Sequence, residues 1–246
     1  MFQWVINSRL LTALLISLFV SACSGGGGSG PPPESVAPTD SAQANPPPPL
    51  SSSTSVVIVD DQGSTSVHGA DLQDQLELLP LSEISETEAA ELAYMREEEK
   101  LAYDLYIHFY EQWGQRIFSN ISEAELTHTR AVLALLERYN IADPASVEPG
   151  VFTNIELQGL YDFLQASGSA TLIDALLSAA TVEEVDILDL RAYLLNVEGN
   201  ENLLKGSRNH LRAFVRNLSK QGISYTPTHL AQEEFDAIIS GEIERG

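Results

Sequence analysis

The sequence predicts an all-α fold: a bundle of four long helices, a long crossover between the second and third, and a short closing helix. Three observations predict it. From Ser85 onward, apolar residues recur at helical spacing, with capping and breaking residues where helices should start and stop. The first and second helices, and the third and fourth, are joined by short connections and so form antiparallel hairpins, whereas about thirty residues separate the second from the third, enough to cross a bundle. Ahead of Ser85 the chain is rich in Gly, Pro and Ser and does not read as foldable.

The elements follow in order. Ser85-x-x-Glu88 is a capping box that opens the first helix, which runs to about Trp113, where Gly114 is placed to end it. The second helix covers roughly Asn120 to Asn140. Asp143-Pro144 and Glu148-Pro149-Gly150 then break the chain, and a shorter helix fills Asn154 to Gln165 within the crossover. The third long helix runs from about Ala170 to Asn196, Gly199 marks a tight turn, and the fourth spans about Asn200 to Gln221. Tyr225-Thr226-Pro227 leads to the closing helix, Leu230 to Ile239.

The N-terminal third carries addresses rather than a core. Met1 to Ala22 has Arg9 ahead of an apolar run, Leu10 to Val20, too short to span a bilayer comfortably and followed by small residues. Val20-Ser21-Ala22-Cys23 looks like a bacterial lipobox, which implies that Cys23 is acylated and becomes the mature N-terminus. An ordinary secreted protein with a chance Cys, or a retained anchor helix, are the alternatives. Residues 23–70, with Gly25 to Gly28, Pro31 to Pro33 and Pro46 to Pro49, read as an unfolded tether. Within it, Val56 to Val59 is a short apolar island with no evident partner, and Leu72 to Leu81 is a lead-in helix or cover strip. The expected division is therefore signal peptide 1–22, tether 23–70 and helical domain 71–246, with export and lipid anchoring to the cell envelope, outer membrane or cell surface.

Composition excludes several classes. One cysteine in 246 residues allows no internal disulfide, no cysteine-based zinc site and no iron–sulfur centre. Thirteen Lys plus Arg against thirty-five Asp plus Glu give a net charge of −22, which repels phosphate backbones and argues against nucleic acid as a partner.

The residues that stand out are acids and imidazoles at the centres of apolar stripes. Ile121, Val132, Leu136 and Tyr139 form one face of the second helix, with Glu125 near its middle and His128 one turn further on. Tyr94, Ala102, Leu105 and Phe109 centre on Glu98, while Glu97 and Glu99 point to either side and, with Lys100, read as surface charge. Leu176, Ile187, Leu190 and Leu194 centre on Glu183, with Asp186 one turn on and Asp189 outward. In the fourth helix His210 shares a face with Leu203, Gly206 and Phe214. Inward acids and imidazoles on four facing helices repel one another or stay desolvated unless a cation neutralises them. Carboxylate and imidazole ligands suit iron and manganese, and also zinc. Two local alternatives stay open: Ser122-x-x-Glu125 fits a capping box if that helix starts late, and His210 fits a core histidine bonded to a backbone carbonyl.

Tyr94-Met-Arg-Glu-Glu-Glu-Lys-Leu-Ala102, Phe118-Ser-Asn-Ile121, Glu183-Glu-Val-Asp-Ile187 and Gly206-Ser-Arg-Asn-His-Leu-Arg-Ala-Phe214 resemble the ferritin-like family catalogued as domain of unknown function 2202, over about Leu79 to Ile239. The resemblance implies a ferritin-like four-helix bundle, distantly similar to rubrerythrin, without a settled activity. The chain departs from a full di-iron pattern in carrying Ser207 where a second Glu-x-x-His would start. One reading moves that carboxylate to the third helix and keeps six ligands, Glu98, Glu125, His128, Glu183, Asp186 and His210, with Glu98 and Glu183 bridging; another holds a single metal. The expected function is a carboxylate-bridged di-metal centre, di-iron by preference, that oxidises ferrous ion or reduces peroxide with an external electron donor. The alternatives are a non-catalytic helical lipoprotein with a satisfied polar core, or metal sequestration without turnover.

Overall fold

The computed structural model describes residues 57–59, 65–67, 81, 83–193 and 200–245. Cys23, the signal segment, most of the tether and the lead-in segment before Leu81 lie outside the described residues, as does the turn at Gly199. No helix among the described residues is long and apolar enough to cross a membrane.

Six helices are described, and their ends follow from local chemistry. Helix α1, Glu86–Trp113, opens with the predicted capping box: Glu88 N donates to the Ser85 hydroxyl, and Ser85 N donates back to the Glu88 carboxylate at 2.8 Å. It closes at Gly114, whose φ of 63° is cheap only for glycine. Helix α2, Arg116–Arg138, starts four residues before the predicted Asn120, with Gln115 as an N-cap that makes no side-chain bond. Glu125 therefore stands well inside a helix, and Ser122 caps nothing. Its hydroxyl bonds back to Ser119 O. Helix α3, Ile155–Gly168, is capped by the Asn154 side chain, which accepts from Glu156 N and Leu157 N. Helices α4, Leu172–Tyr193, α5, Asn200–Lys220, and α6, Gln232–Ser240, complete the domain. Ahead of them, β1, Val57–Val59, pairs antiparallel with β2, Thr65–Val67, so the apolar island does have a partner, eight positions on. Strand β2 runs beside α2.

Two apolar clusters occupy opposite ends of the bundle. One contains Leu105, Tyr106, Phe109, Phe118, Ala179 and Phe214; the other contains Leu92, Met95, Val132, Leu136, Leu190 and Leu203. Each long helix crosses from one cluster to the other: α1 and α5 in one direction, α2 and α4 in the opposite one. Parallel α2 and α4 cannot be joined by a tight turn, which is why the chain needs the crossover carrying α3. Between the clusters every long helix places polar residues, so a buried polar layer is sandwiched by two dry ones.

The crossover also corrects the expectation that Glu97, Glu99 and Lys100 are surface charge: all three are buried. Helix α1 packs against α2, α4 and α3, so the face that a two-hairpin bundle would leave wet is covered. The Glu97 carboxylate accepts from Thr153 N at 2.5 Å and Asn154 N at 2.9 Å. Lys100 pairs with Asp104 at 2.5 Å, donates to Glu148 O and lies over the Phe152 ring, while Asp104 accepts from Gly150 N. These charges are paired and hydrogen-bonded, the condition under which burial is tolerated. Toward the end of the chain, Arg208 and Arg212 clasp Glu244 and Asn209 bonds its backbone, fixing the C-terminal segment.

Candidate metal centre

The polar layer is built by i,i+3 spacing on parallel and antiparallel neighbours. Helix α2 presents Glu125 and His128, α4 presents Glu183 and Asp186, α5 presents Ser207 and His210, and α1 presents Glu98 and Glu99, all of them buried. Within this layer two groups have ligand-type atoms mutually within 4.8 Å: Glu99 with Glu125 and His128, and Glu125 with Glu183 and His210. Glu125 belongs to both. Its Oε2 lies 3.0 Å from His128 Nδ1 and its Oε1 lies 2.8 Å from His210 Nδ1. The remaining distances are 3.4 Å from His128 Nδ1 to Glu99 Oε2 and 3.6 Å from His210 Nδ1 to Glu183 Oε2. The two imidazoles stack with centroids 5.6 Å apart.

Electrostatics separate these acids sharply. Burial alone would raise Glu125, but the facing His210 and His128 overcome it and hold the carboxyl below the ordinary carboxylate range. Burial raises Glu99 to about 7 against the pull of His128, and raises Glu183 to about 7 against that of His210. His210 is disfavoured as a cation by burial, yet Glu125 and Glu183 push it up to about 10, and His128 is raised likewise by Glu99 and Glu125. Asp186 is pushed well up by burial and then by the charges of Glu99, Glu183 and Glu125. The layer thus holds more acids than its two imidazoles can offset, and without a further cation burial drives several of them toward the protonated form.

Of the residues singled out by sequence, Glu125, His128, Glu183 and His210 fall within the two groups. Asp186 adjoins them, its carboxylate held by the Ser207 hydroxyl, the residue that stands where a longer acid would otherwise reach in from α5. Glu98 falls in neither group. Burial and the facing Asp189 raise its carboxyl well above the ordinary range, and a proton held on Glu98 lets the pair hydrogen-bond. Asp189 is half-buried and accepts from the Tyr94 hydroxyl at 3.4 Å, so it is not the outward residue that its spacing suggested. Sequence reasoning missed Glu99 because α1 is buried nearly all round over this stretch and offers no single inner face. It also missed Tyr106, fully buried, whose hydroxyl donates to Glu183 Oε1 at 2.6 Å. Tyr106 is two turns beyond Glu99, a position that reads as core packing.

The donor set fits divalent cations. His128 Nε2, His210 Nε2, Asp186 Oδ1 and Glu99 Oε1 are buried polar atoms without a hydrogen-bond partner among the described residues. Four carboxylates, Glu99, Glu125, Glu183 and Asp186, with two neutral imidazoles match the charge of two divalent ions, and oxygen and imidazole donors suit iron, manganese or zinc.

The domain has relatives. A family described as an uncharacterized protein domain (DUF2202) matches residues 88–242. The chain is 47% identical over 175 residues to the uncharacterized protein MJ0754 of Methanocaldococcus jannaschii, covering 68% of this chain and 95% of that one. The crystal structure of hypothetical protein MJ0754 from the same organism matches with a TM-score of 0.65 at 46% identity, over 68% of this chain and 99% of that chain. This chain belongs to the DUF2202 family, and the matched unit is the helical domain with its buried Glu and His residues.

Proposed function

We propose that the domain is a ferritin-like bundle holding a carboxylate-bridged di-metal centre, with iron the preferred metal and manganese or zinc able to replace it. The observation that carries this is Glu125, one carboxylate turned toward two histidines on two helices and common to both ligand groups. Glu99 and His128 would hold one ion, Glu183 and His210 the other, Glu125 both, and Asp186 would complete the set from α4. Glu98, which falls in neither ligand group, is outside it. Ser207 orients Asp186, and Tyr106 orients Glu183. The apolar clusters on either side keep water from the charged layer, which strengthens every interaction within it. Bound iron would supply redox chemistry: either ferrous ion oxidised by an external acceptor such as dioxygen or peroxide, or peroxide reduced with two electrons from an external donor, since one cysteine cannot ligate an iron–sulfur or rubredoxin-type module.

Residues 1–22 act as a lipoprotein signal, Cys23 as the lipidated anchor and 23–70 as the tether that presents the domain outside the cytoplasm at an envelope membrane. The motivating observation is Val20-Ser21-Ala22-Cys23 after an apolar run.

A second reading is supported by the ion pairs themselves. Glu125 pairs with both histidines, so a non-catalytic helical module could satisfy part of its polar core unaided. Elemental analysis of the purified chain after anaerobic iron loading separates the two. Close to two ions per chain, lost together in a Glu125→Ala/His128→Ala variant, supports the di-metal centre. Wild-type protein without transition metal, and with a melting temperature indifferent to iron and manganese, leaves the polar-core module.

A further inference from the structure

Far from the polar layer in chemistry, though not in sequence, a cavity of about 360 Å³ opens between the first turn of α2 and the last turns of α5. It is lined by Arg116, Ile117 and Asn120 from α2 and by Ala213, Arg216, Asn217 and Lys220 from α5. Three of the chain's thirteen Lys and Arg residues thus converge on one cleft, in a protein of net charge −22. No Asp or Glu is among its lining residues.

Five of the other cations are paired. Arg96, Lys100, Arg191, Arg208 and Arg212 each sit on a carboxylate. Arg116, Arg216 and Lys220 sit on none among the described residues, although acids outnumber bases almost threefold. Three like charges brought together repel one another, and Arg116 also stands at the positive end of the α2 dipole, where an acid would be favoured and none occurs in the first turn. Gln115 supplies no side-chain cap there. An anion relieves all of these at once. The size falls at the lower end of small-molecule sites. Ile117 and Ala213 add an apolar wall beside the cations.

We propose that this cleft is a binding site for a phosphate-type oxyanion, the phosphoryl group held by Arg116, Arg216 and Lys220 with its organic substituent against Ile117 and Ala213. Arginine forks suit phosphate bidentately and lysine adds a point charge. The site is independent of the metal centre and stands or falls without it.

Calorimetric titration of the full chain tests this, with inorganic phosphate and phenyl phosphate as free ligands and a soluble short-chain phosphatidylglycerol as the headgroup source. Arg216→Gln/Lys220→Gln removes two exposed cations without touching the core, and Arg130→Gln, exposed on α2 away from the cleft, is the control. Saturable binding of the free phosphates, weakened at least about tenfold in the double variant and unchanged in the control, supports the proposal. Binding confined to the lipid, with the same dependence on the double variant, supports it and assigns the phosphoryl group to a headgroup. No saturable binding of any of the three ligands, or binding that the double variant leaves intact, overturns it. Circular dichroism of the variants checks that loss of binding is not loss of fold.

Discussion

Replacing Glu125 by Gln keeps the side chain's size and removes the one charge that both histidines face, at 3.0 Å and 2.8 Å. Two effects follow, and they can be measured apart. In metal-free protein, His128 and His210 lose the partner that offsets their burial, and breaking a buried ion pair by removing one member costs about 3–5 kcal/mol. In metal-loaded protein the loss concerns ligation. Free metal at about a thousandfold above its dissociation constant stabilises the folded state by about 4 kcal/mol. At about 2–4 °C per kcal/mol for a domain of this size, wild-type protein should melt about 8–16 °C higher with metal than without. Glu125→Gln weakens both ions together, since it belongs to both groups, and should shrink that rise to a small fraction. Two further variants locate the ligand on α1. Glu99→Gln should also lose much of the rise. Glu98→Gln should keep it, because burial and Asp189 already favour a protonated Glu98, which glutamine imitates. Differential scanning calorimetry with and without ferrous or manganous ion, paired with elemental analysis, reads all three. A metal centre shared through Glu125 is refuted if Glu125→Gln retains the wild-type rise, and Glu99 as the α1 ligand is refuted if Glu98→Gln loses it while Glu99→Gln does not.

Metal-free protein should become less stable as pH rises from about 5 to about 10. Glu99 and Glu183, raised to about 7, hold protons in the folded state that the unfolded chain has released above its ordinary 4.5, and His210, raised to about 10, does the same above 6.5. Below pH 4.5 the sign reverses for Glu125, whose lowered carboxyl gives stability that disappears as it is protonated. Urea melts at several pH values, with chelator present, would show a flat profile if these groups do not share a buried layer. Gly168→Ala should destabilise the domain by about 1–3 kcal/mol, read as a lower urea midpoint, because a Cβ there would stand 2.3 Å from Phe109 Cζ and 3.1 Å from Ala175 Cα. An unchanged midpoint would show that the Phe109 ring has room to move. Cys23→Ser should shift the protein from membranes to the soluble exported fraction on fractionation. Retention at the wild-type level would instead make Leu10 to Val20 the anchor.

Helix positions were legible because they depend on neighbours in sequence. Ser85 with Glu88, Gly114 at positive φ and the apolar spacing are local signals, and α1 and α3 to α6 lie close to where those signals put them. Helix α2 begins early because its first turn needs no side-chain cap, so there was no capping signal to read. The polar layer was legible too, since acids and histidines inside apolar stripes violate the helical pattern on their own evidence. Which of two adjacent acids faces the histidines was not. Glu98 and Glu99 differ by one helical step, and where α2, α3 and α4 surround this helix every step from Glu97 to Ala102 is buried. The same enclosure decides that Glu97, Lys100 and Asp104 are interior: only when the crossover packs down do Thr153, Asn154 and Gly150 bring N–H donors to them. Asp189 against Glu98, Tyr106 on Glu183 and the three cations around one cleft are meetings between helices far apart in the chain. Periodicity describes one helix at a time, so the sequence determined where each helix carries its polar residues, and packing alone decided which of them share a site.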